Sequence, residues 1–225
     1  MLSDYKVRRL RIDYIAQTAL AWRKGVADLL APSFNIVDFL EQTLKPRLQN
    51  IDLEIRFFDA APGSRPAYVL FKRPDDTSRR IVILHMDNEV WELAKLGEPK
   101  ARFIVAHEIA HIILHDHEAK AFSEDDGSRS TQFEKEEMAE WQADAFALCF
   151  LMPARFVLAF DDAQQLSRAA SVEYKHALQR FNDVKAESLR FASSYGYACD
   201  RCGEFKMSRH GIEMKCECGF SKPLI

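Results

Sequence analysis

Two histidines and a glutamate fall together at His107-Glu108-Ile109-Ala110-His111. Residues four apart share one face of a helix, so His107 and His111 can hold one ion between them. Glu108 is one position on and can reach a water on that ion. HExxH on a helix is the pattern of a zinc hydrolase, with the glutamate as general base. A catalytic zinc takes three protein ligands and keeps a fourth position open. The third is sought downstream, in Glu140-Trp141-Gln142-Ala143-Asp144. Glu140 borders the apolar Ala143, Ala147 and Phe150, and a carboxylate turned toward a core needs a cationic partner. Zinc is that partner, and Mn²⁺ is the alternative ion. Glu137, one turn earlier, is the competing carboxylate. Asp144 is placed to accept the free ring N–H of a ligand histidine, the usual support of a metal-bound imidazole. His115 continues the 107–111 face and His85 ends a strand nearby. Both are candidates for the cleft, although a histidine so placed is more often a satisfied structural residue.

A second donor set closes the chain. Cys199, Cys202, Cys216 and Cys218 form two knuckles, each followed by a glycine that permits a tight turn. Four thiolates suit a tetrahedral structural zinc, which supplies folding energy to a segment too short to bury a core. Redox-active thiols are the other reading. From Cys199 onward five Lys/Arg stand against four Asp/Glu, so the module is not a basic nucleic-acid patch. Cys149 stands apart in an apolar helix.

These residues need a scaffold, and the chain supplies one in order. Helical spacing runs over residues 5–30 (Leu10, Tyr14, Ile15, Ala19, Trp22, Val26, Leu29) and over Asn35 to Leu44, where Pro46 is expected to stop it. Lys6, Arg8, Arg9 and Arg11 read as a solvated face. Ile51 to Phe58, Ala67 to Lys72 and Ile81 to Met86 read as strands, the last expected to line the cleft. Short helix 89–96 leads into the HExxH helix, the polar stretch 119–133 reads as a loop, and a helix is expected from Glu134 to Leu151. Residues 161–190 read as a helical hairpin with Leu166, Ala169, Val172, Tyr174, Ala177, Leu178 and Phe181 at its core. The order is that of an α+β fold. It comprises N-terminal helices, a small mostly antiparallel sheet and the two ligand helices (1–155), a helical extension (156–193) and a zinc-binding module (194–225).

Composition is that of a globular chain, and a net charge of −3 gives no global argument for nucleic-acid or membrane partners. The first residues lack the apolar stretch of a secretory signal. No run approaches the roughly 18 apolar residues of a membrane span. A cytoplasmic location is expected, in which a cysteine cluster is a metal site sooner than a disulfide set.

The two blocks together resemble a known family. Arg102 to His115, with Glu140-Trp141-Gln142-Ala143-Asp144-Ala145-Phe146-Ala147 and Phe150-Leu151-Met152-Pro153 behind it, resembles the ImmA/IrrE metallo-endopeptidases. The resemblance implies a zincin-like fold in which His107, His111 and Glu140 bind zinc and Glu108 is the catalytic base. It also implies a protein substrate, often a helix-turn-helix repressor. Two other readings stand beside it. One is a zincin scaffold that senses or binds without cutting, against which the intact Glu108 argues. The other is a SprT-like protease acting on DNA-bound proteins, suggested by the C-terminal module. That class uses a third histidine ligand, and His115 and His117 lie too close to His111 to serve.

Overall fold

The computed structural model describes residues 6–24, 34–72, 80–115, 134–194, 199, 201–203, 207–210 and 213–223. Contacts divide it into two compact units, the first holding the described residues up to 24 together with 34–151, the second holding residues 152–223.

In the first unit, α1 (Ile12–Arg23) buries Ile15, Ala19 and Arg23. Tyr14, expected inside, is exposed; Val26 and Leu29 lie outside the described residues. The buried face ends on a cation because Arg23 donates from Nη1 to the carbonyl of Phe150 at 2.6 Å and lies over the Phe34 ring. Ahead of α1, Lys6, Arg9 and Arg11 pair with Glu137, Glu134 and Asp13.

Pro46 does not stop the second helical stretch. An α turn, α2 (Ile36–Asp38), passes into a π turn (Phe39–Leu44) and then α3 (Lys45–Arg47). A π turn winds more widely than an α turn, and here it immediately precedes the proline whose N–H is missing.

The sheet corrects the expectation of a mostly antiparallel arrangement. Its order is β1-β3-β2, with β1 (Ile51–Phe58), β2 (Ala67–Lys72) and β3 (Arg80–Asp87). β3 pairs parallel to β1 and antiparallel to β2, so the sheet is mixed. The reason is that β2 turns back after Gly63 (φ +80°) and adds to the far side of β3 instead of to β1. β3 is therefore central, which suits its nearly unbroken apolar run, and β2 forms an edge.

Asp87 ends β3 and caps α4 (Asn88–Lys95). Its Oδ1 accepts from Val90 N at 3.1 Å and its Oδ2 from Ala60 N at 2.7 Å. Gly97 (φ +82°) then reverses the chain, and Glu98 caps α5 (Pro99–Leu114) through Ala101 N, with Pro99 in the first turn where no N–H is needed. α5 is buried on most sides, and Arg102 donates to Phe34 O at 2.8 Å.

The stretch 119–133 lies outside the described residues, as does His117. The ligand helix begins later than expected. Lys135–Glu137 is a 3₁₀ turn, and α6 runs Ala139–Leu151. Buried Ala139, Ala143 and Ala147 let α6 approach its neighbours closely, and α5 and α1 both pack on it.

The second unit holds α7 (Ala154–Val157), α8 (Ala163–Ala170) and α9 (Tyr174–Ser194). Asp162 caps α8 through Gln165 N, and Ser171 ends it in the left-handed region at φ 50°. The hairpin buries Leu166, Val172 and Ala177, but Tyr174 and Leu178 face solvent. Arg180 takes part in the interior instead, donating to Met152 O at 3.0 Å. β4 (Met207–His210), β5 (Glu213–Cys216) and β6 (Ser221–Pro223) form an antiparallel sheet beside the cysteines. Among the described residues no helix is long and apolar enough to cross a membrane.

The double acceptance by Asp87 joins the β1–β2 connection to the start of α4. Those two N–H groups hold its carboxyl below the ordinary value of 3.8 against the opposing effect of burial. Asp87→Ala is expected to lower unfolding stability by about 1–2 kcal/mol. Because the folded carboxyl is depressed, the wild-type advantage is full above pH 3.8 and fades as pH falls through the folded value. Denaturant melts of both proteins across that range measure it.

Candidate active site

α5 and α6 bring together the first donor set. His107, His111 and Glu140 each direct a ligand atom to one place, all within 4.8 Å of one another. His111 Nε2 lies 3.0 Å from His107 Nε2; Glu140 Oε2 lies 3.1 Å from His107 Nε2, and its Oε1 3.8 Å from His111 Nε2. Three ligands at about 2.0–2.1 Å around a tetrahedral ion are separated by about 3.3 Å, so these spacings suit a small divalent cation. The donor set argues the same way. Asp144 Oδ1 lies 2.7 Å from His107 Nδ1 and accepts its proton, so Nε2 is the ring atom that meets the Glu140 carboxylate. That contact needs a positive charge, which a proton on His107 Nε2 or a bound divalent cation supplies. Glu137 sits in the 3₁₀ turn and pairs with Lys6 at 3.6 Å, away from this cluster.

The electrostatics reflect that crowding. Burial pulls His107 down, but hydrogen bonds to Asp144 and Glu140 and the charges of Glu108 and Asp144 outweigh it and carry the ring up to about 9. Burial pushes Glu140 up, yet His107, His111 and Arg65 bring it to about 2. His111, with the charges of His107 and His115 adding to its burial, is driven well below 6.5.

Glu108 lies apart from the three donors but in the same cleft. It is 3% exposed, and its Oε2 is buried without a hydrogen-bond partner among the described residues. Burial pushes its carboxyl up to about 7 against the pull of His107 and Arg65. A cavity of about 110 Å³ is lined by Glu108, His111, Glu140, Arg65 and the β2 residues Tyr68 to Phe71.

Two features here escaped the sequence. Arg65 Nη2 donates to Glu140 Oε1 at 3.0 Å, a cation held against the ligand carboxylate from the turn before β2. The strand along the cleft is the edge strand β2, not the central β3 that had been expected, because β3 is paired on both sides. A pattern of apolar alternation identifies strands but not their neighbours. The two further histidines both lie off the cavity. His85 stacks on Tyr68, ring centroids 4.5 Å apart, with burial and then Arg56 and Lys72 lowering its pKa. His115 lies 2.9 Å from His111 and 3.0 Å from Gln142, on the side of His111 away from Glu140.

The four C-terminal cysteines also converge, their sulfurs within 4.8 Å of one another. The pairs Cys199–Cys218 and Cys202–Cys216 stand 3.6 Å apart. That is far beyond a disulfide bond of about 2.05 Å and close to the roughly 3.8 Å edge of a tetrahedron with metal–sulfur bonds of about 2.3 Å. Gly203 (φ +74°) and Gly219 (φ +83°) complete the knuckles, donating to the carbonyls of Cys199 and Cys216. At Gly203 a Cβ would sit 2.5 Å from Arg155 Cβ, so glycine is required there for space as well as for φ.

A family model described as Peptidase M78, IrrE N-terminal-like domain, matches residues 64–191, more than half of the chain. The chain belongs to this family. No curated protein and no solved structure matches it. The matched region begins beside Arg65 and includes β2, β3, both ligand helices and the hairpin; the cysteine module lies beyond it. An M78 peptidase is expected to use a metal, and the His107–His111–Glu140 cluster suits one.

The two donor sets predict two independent equivalents of divalent metal per chain. Glu140→Ala is expected to lose one and keep the other, and Cys199→Ser the reverse. Metal analysis of the purified full-length variants after dialysis reads this directly, and two retained equivalents in both variants would refute the assignment.

Proposed function

We propose that this M78 peptidase is a zinc-dependent endopeptidase that hydrolyses peptide bonds in a protein substrate. The observation that carries the reading is the buried, unpartnered Oε2 of Glu108 in one cavity with His111 and Glu140. An orphaned carboxylate oxygen at that place is costly unless it has work to do. A pure binding scaffold has no use for it.

His107, His111 and Glu140 would hold the ion, with Asp144 orienting His107 and Arg65 restraining Glu140. Bound zinc supplies Lewis acidity, lowering the pKa of water toward about 7 and polarising a carbonyl. Glu108 Oε2 accepts the proton of the attacking water and returns it to the leaving amine. The β2 edge offers unpaired backbone groups to an extended substrate segment, which makes a locally unfolded loop or linker the expected cleavage site. Arg65 is the one cation lining the cavity among the described residues, and it stands where a substrate carbonyl or carboxylate would meet it.

A helix-turn-helix repressor is the proposed substrate, on the strength of the resemblance noted above, and the cytoplasm the proposed location. The cysteine module is proposed to hold a structural zinc. The test is to incubate the purified chain, loaded with Zn²⁺ or Mn²⁺, with the repressor encoded beside its gene and to look for one discrete cut. Absence of cleavage with any neighbouring regulator would favour a sensing scaffold, and cleavage only in the presence of DNA would favour action on DNA-bound proteins. Glu108→Gln is expected to retain its metal and to cut about 10²–10⁴-fold more slowly. A metal-replete Glu108→Gln protein that still cuts at the wild-type rate would overturn the mechanism.

A further inference from the structure

We propose that His115 and Gln142 are positioning residues that fix the tautomer of His111, so that its Nε2 lone pair, and not an N–H, faces the metal site. The proposal rests on the metal-centre reading above.

Gln142 is fully buried, which makes every polar atom of its amide consequential. Its Nε2 lies 2.8 Å from the carbonyl oxygen of Arg8 and 2.7 Å from that of Glu136. Backbone carbonyls only accept, so the atom between them is the NH₂ group, and the other end of the amide is its oxygen. That oxygen, Oε1, lies 3.0 Å from His115 Nε2. His115 therefore carries its proton on Nε2 and donates it to Gln142.

A neutral imidazole protonated on Nε2 has a lone pair on Nδ1. His115 Nδ1 is 2.9 Å from His111 Nδ1. Two lone pairs cannot share that distance, so His111 carries the proton, donating from Nδ1. Its Nε2 is then bare, and this is the atom 3.0 Å from His107 Nε2 in the donor cluster. The polarity of the chain runs from the carbonyls of Arg8 and Glu136, through Gln142 and His115, to the ligand nitrogen.

The two ligand histidines are thus oriented by different means. His107 leans on the half-exposed carboxylate of Asp144, whereas His111 leans on a buried, neutral relay. The relay is rooted in main chain. Val7 N donates to Glu137 O at 2.8 Å and Leu10 N to Glu136 O at 3.1 Å, which holds the segment carrying the Arg8 carbonyl against the start of α6. A neutral support holds His111 without adding another negative charge beside Glu140 and Glu108.

Two substitutions at residue 115 separate this role from packing. Asparagine carries an oxygen near the place of the imidazole Nδ1 and can still accept from His111. Phenylalanine keeps the ring volume and loses the acceptor. Cobalt(II) titrations of the full chain distinguish the two metal sites, because thiolate ligation adds a sulfur-to-metal charge-transfer band that an imidazole–carboxylate site lacks. His115→Phe is expected to weaken cobalt at the site abolished by Glu140→Ala about 10–100-fold, whereas His115→Asn stays within about threefold of wild type. A residue that only fills space gives the opposite order, and that order, or equal affinities in all three proteins, overturns the proposal. Long-range ¹H–¹⁵N spectra of the zinc-loaded wild type provide a second measure. The expected pattern is His115 protonated on Nε2 alone and His111 with an exchange-protected Nδ1 proton. A proton on His115 Nδ1 overturns the relay even if variant affinities agree. If wild type shows no cobalt site that Glu140→Ala removes, the metal-centre reading itself falls, and the relay with it.

Discussion

Two imidazole nitrogens and a carboxylate held within 4.8 Å of one another, with the far ring nitrogen of each histidine already hydrogen-bonded, are the constraint around which the first unit is built. Imidazole nitrogens and a carboxylate at such spacing repel unless a cation joins them. The fold holds them there through the close packing of α5 and α6, which the alanines at 139, 143 and 147 permit. The cost of assembling such a cluster is met by burial around it, since both helices are apolar on nearly every other face. Asp144, Arg65 and His115 each hold one of the three donors by a short polar contact.

The sheet contributes at one edge. β3 anchors the unit because it is paired on both sides and apolar from Ile81 to Leu84, and its last residue, Asp87, ties the following helix to the β1–β2 connection. Among the described residues β2 pairs on one side only, with β3, and it is this strand that lines the cavity with Glu108. The buried Glu108 carboxylate and the β2 strand thus line the same cavity. The second unit solves a different problem. The core beside its small sheet consists, among the described residues, of Cys199, Met207, Met214 and Cys216, with Cys202 and Phe220 packed against them, so cysteine side chains are a large part of it.

Several features were legible in the residues alone. The HExxH helix, the downstream carboxylate pair and the cysteine knuckles are local patterns, and helical or turn geometry converts their spacing into a shared face. The three strands of the first sheet were legible to within a residue, whereas β4, β5 and β6 of the cysteine module were not read from the sequence. Pro46 misled because a proline is tolerated in the first residues of a helical turn, and here it enters α3 just after a π turn. The helix expected from Glu134 begins only at Ala139 because the sequence does not show that the chain first makes a 3₁₀ turn. Tyr14 and Leu178 fit the helical period yet point to solvent, since periodicity identifies a face but not what covers it.

Covalent order alone marks the residue types that converge in the first unit, His107, His111 and Glu140. Ligand type, the i and i+4 spacing and the placement of Glu108 follow from covalent order and helix geometry, and they sufficed for the family resemblance that the M78 match bears out. Tertiary structure decided everything that depends on segments distant in the chain. It chose Glu140 over Glu137 for the donor cluster, β2 over β3 for the cleft, and Arg65 as the partner of Glu140, and it set His115 against Gln142. Each of these is a meeting of residues whose separation along the chain carries no directional information. Their geometry is settled only when helices and strands pack, and the polar groups buried by that packing must find partners where they land.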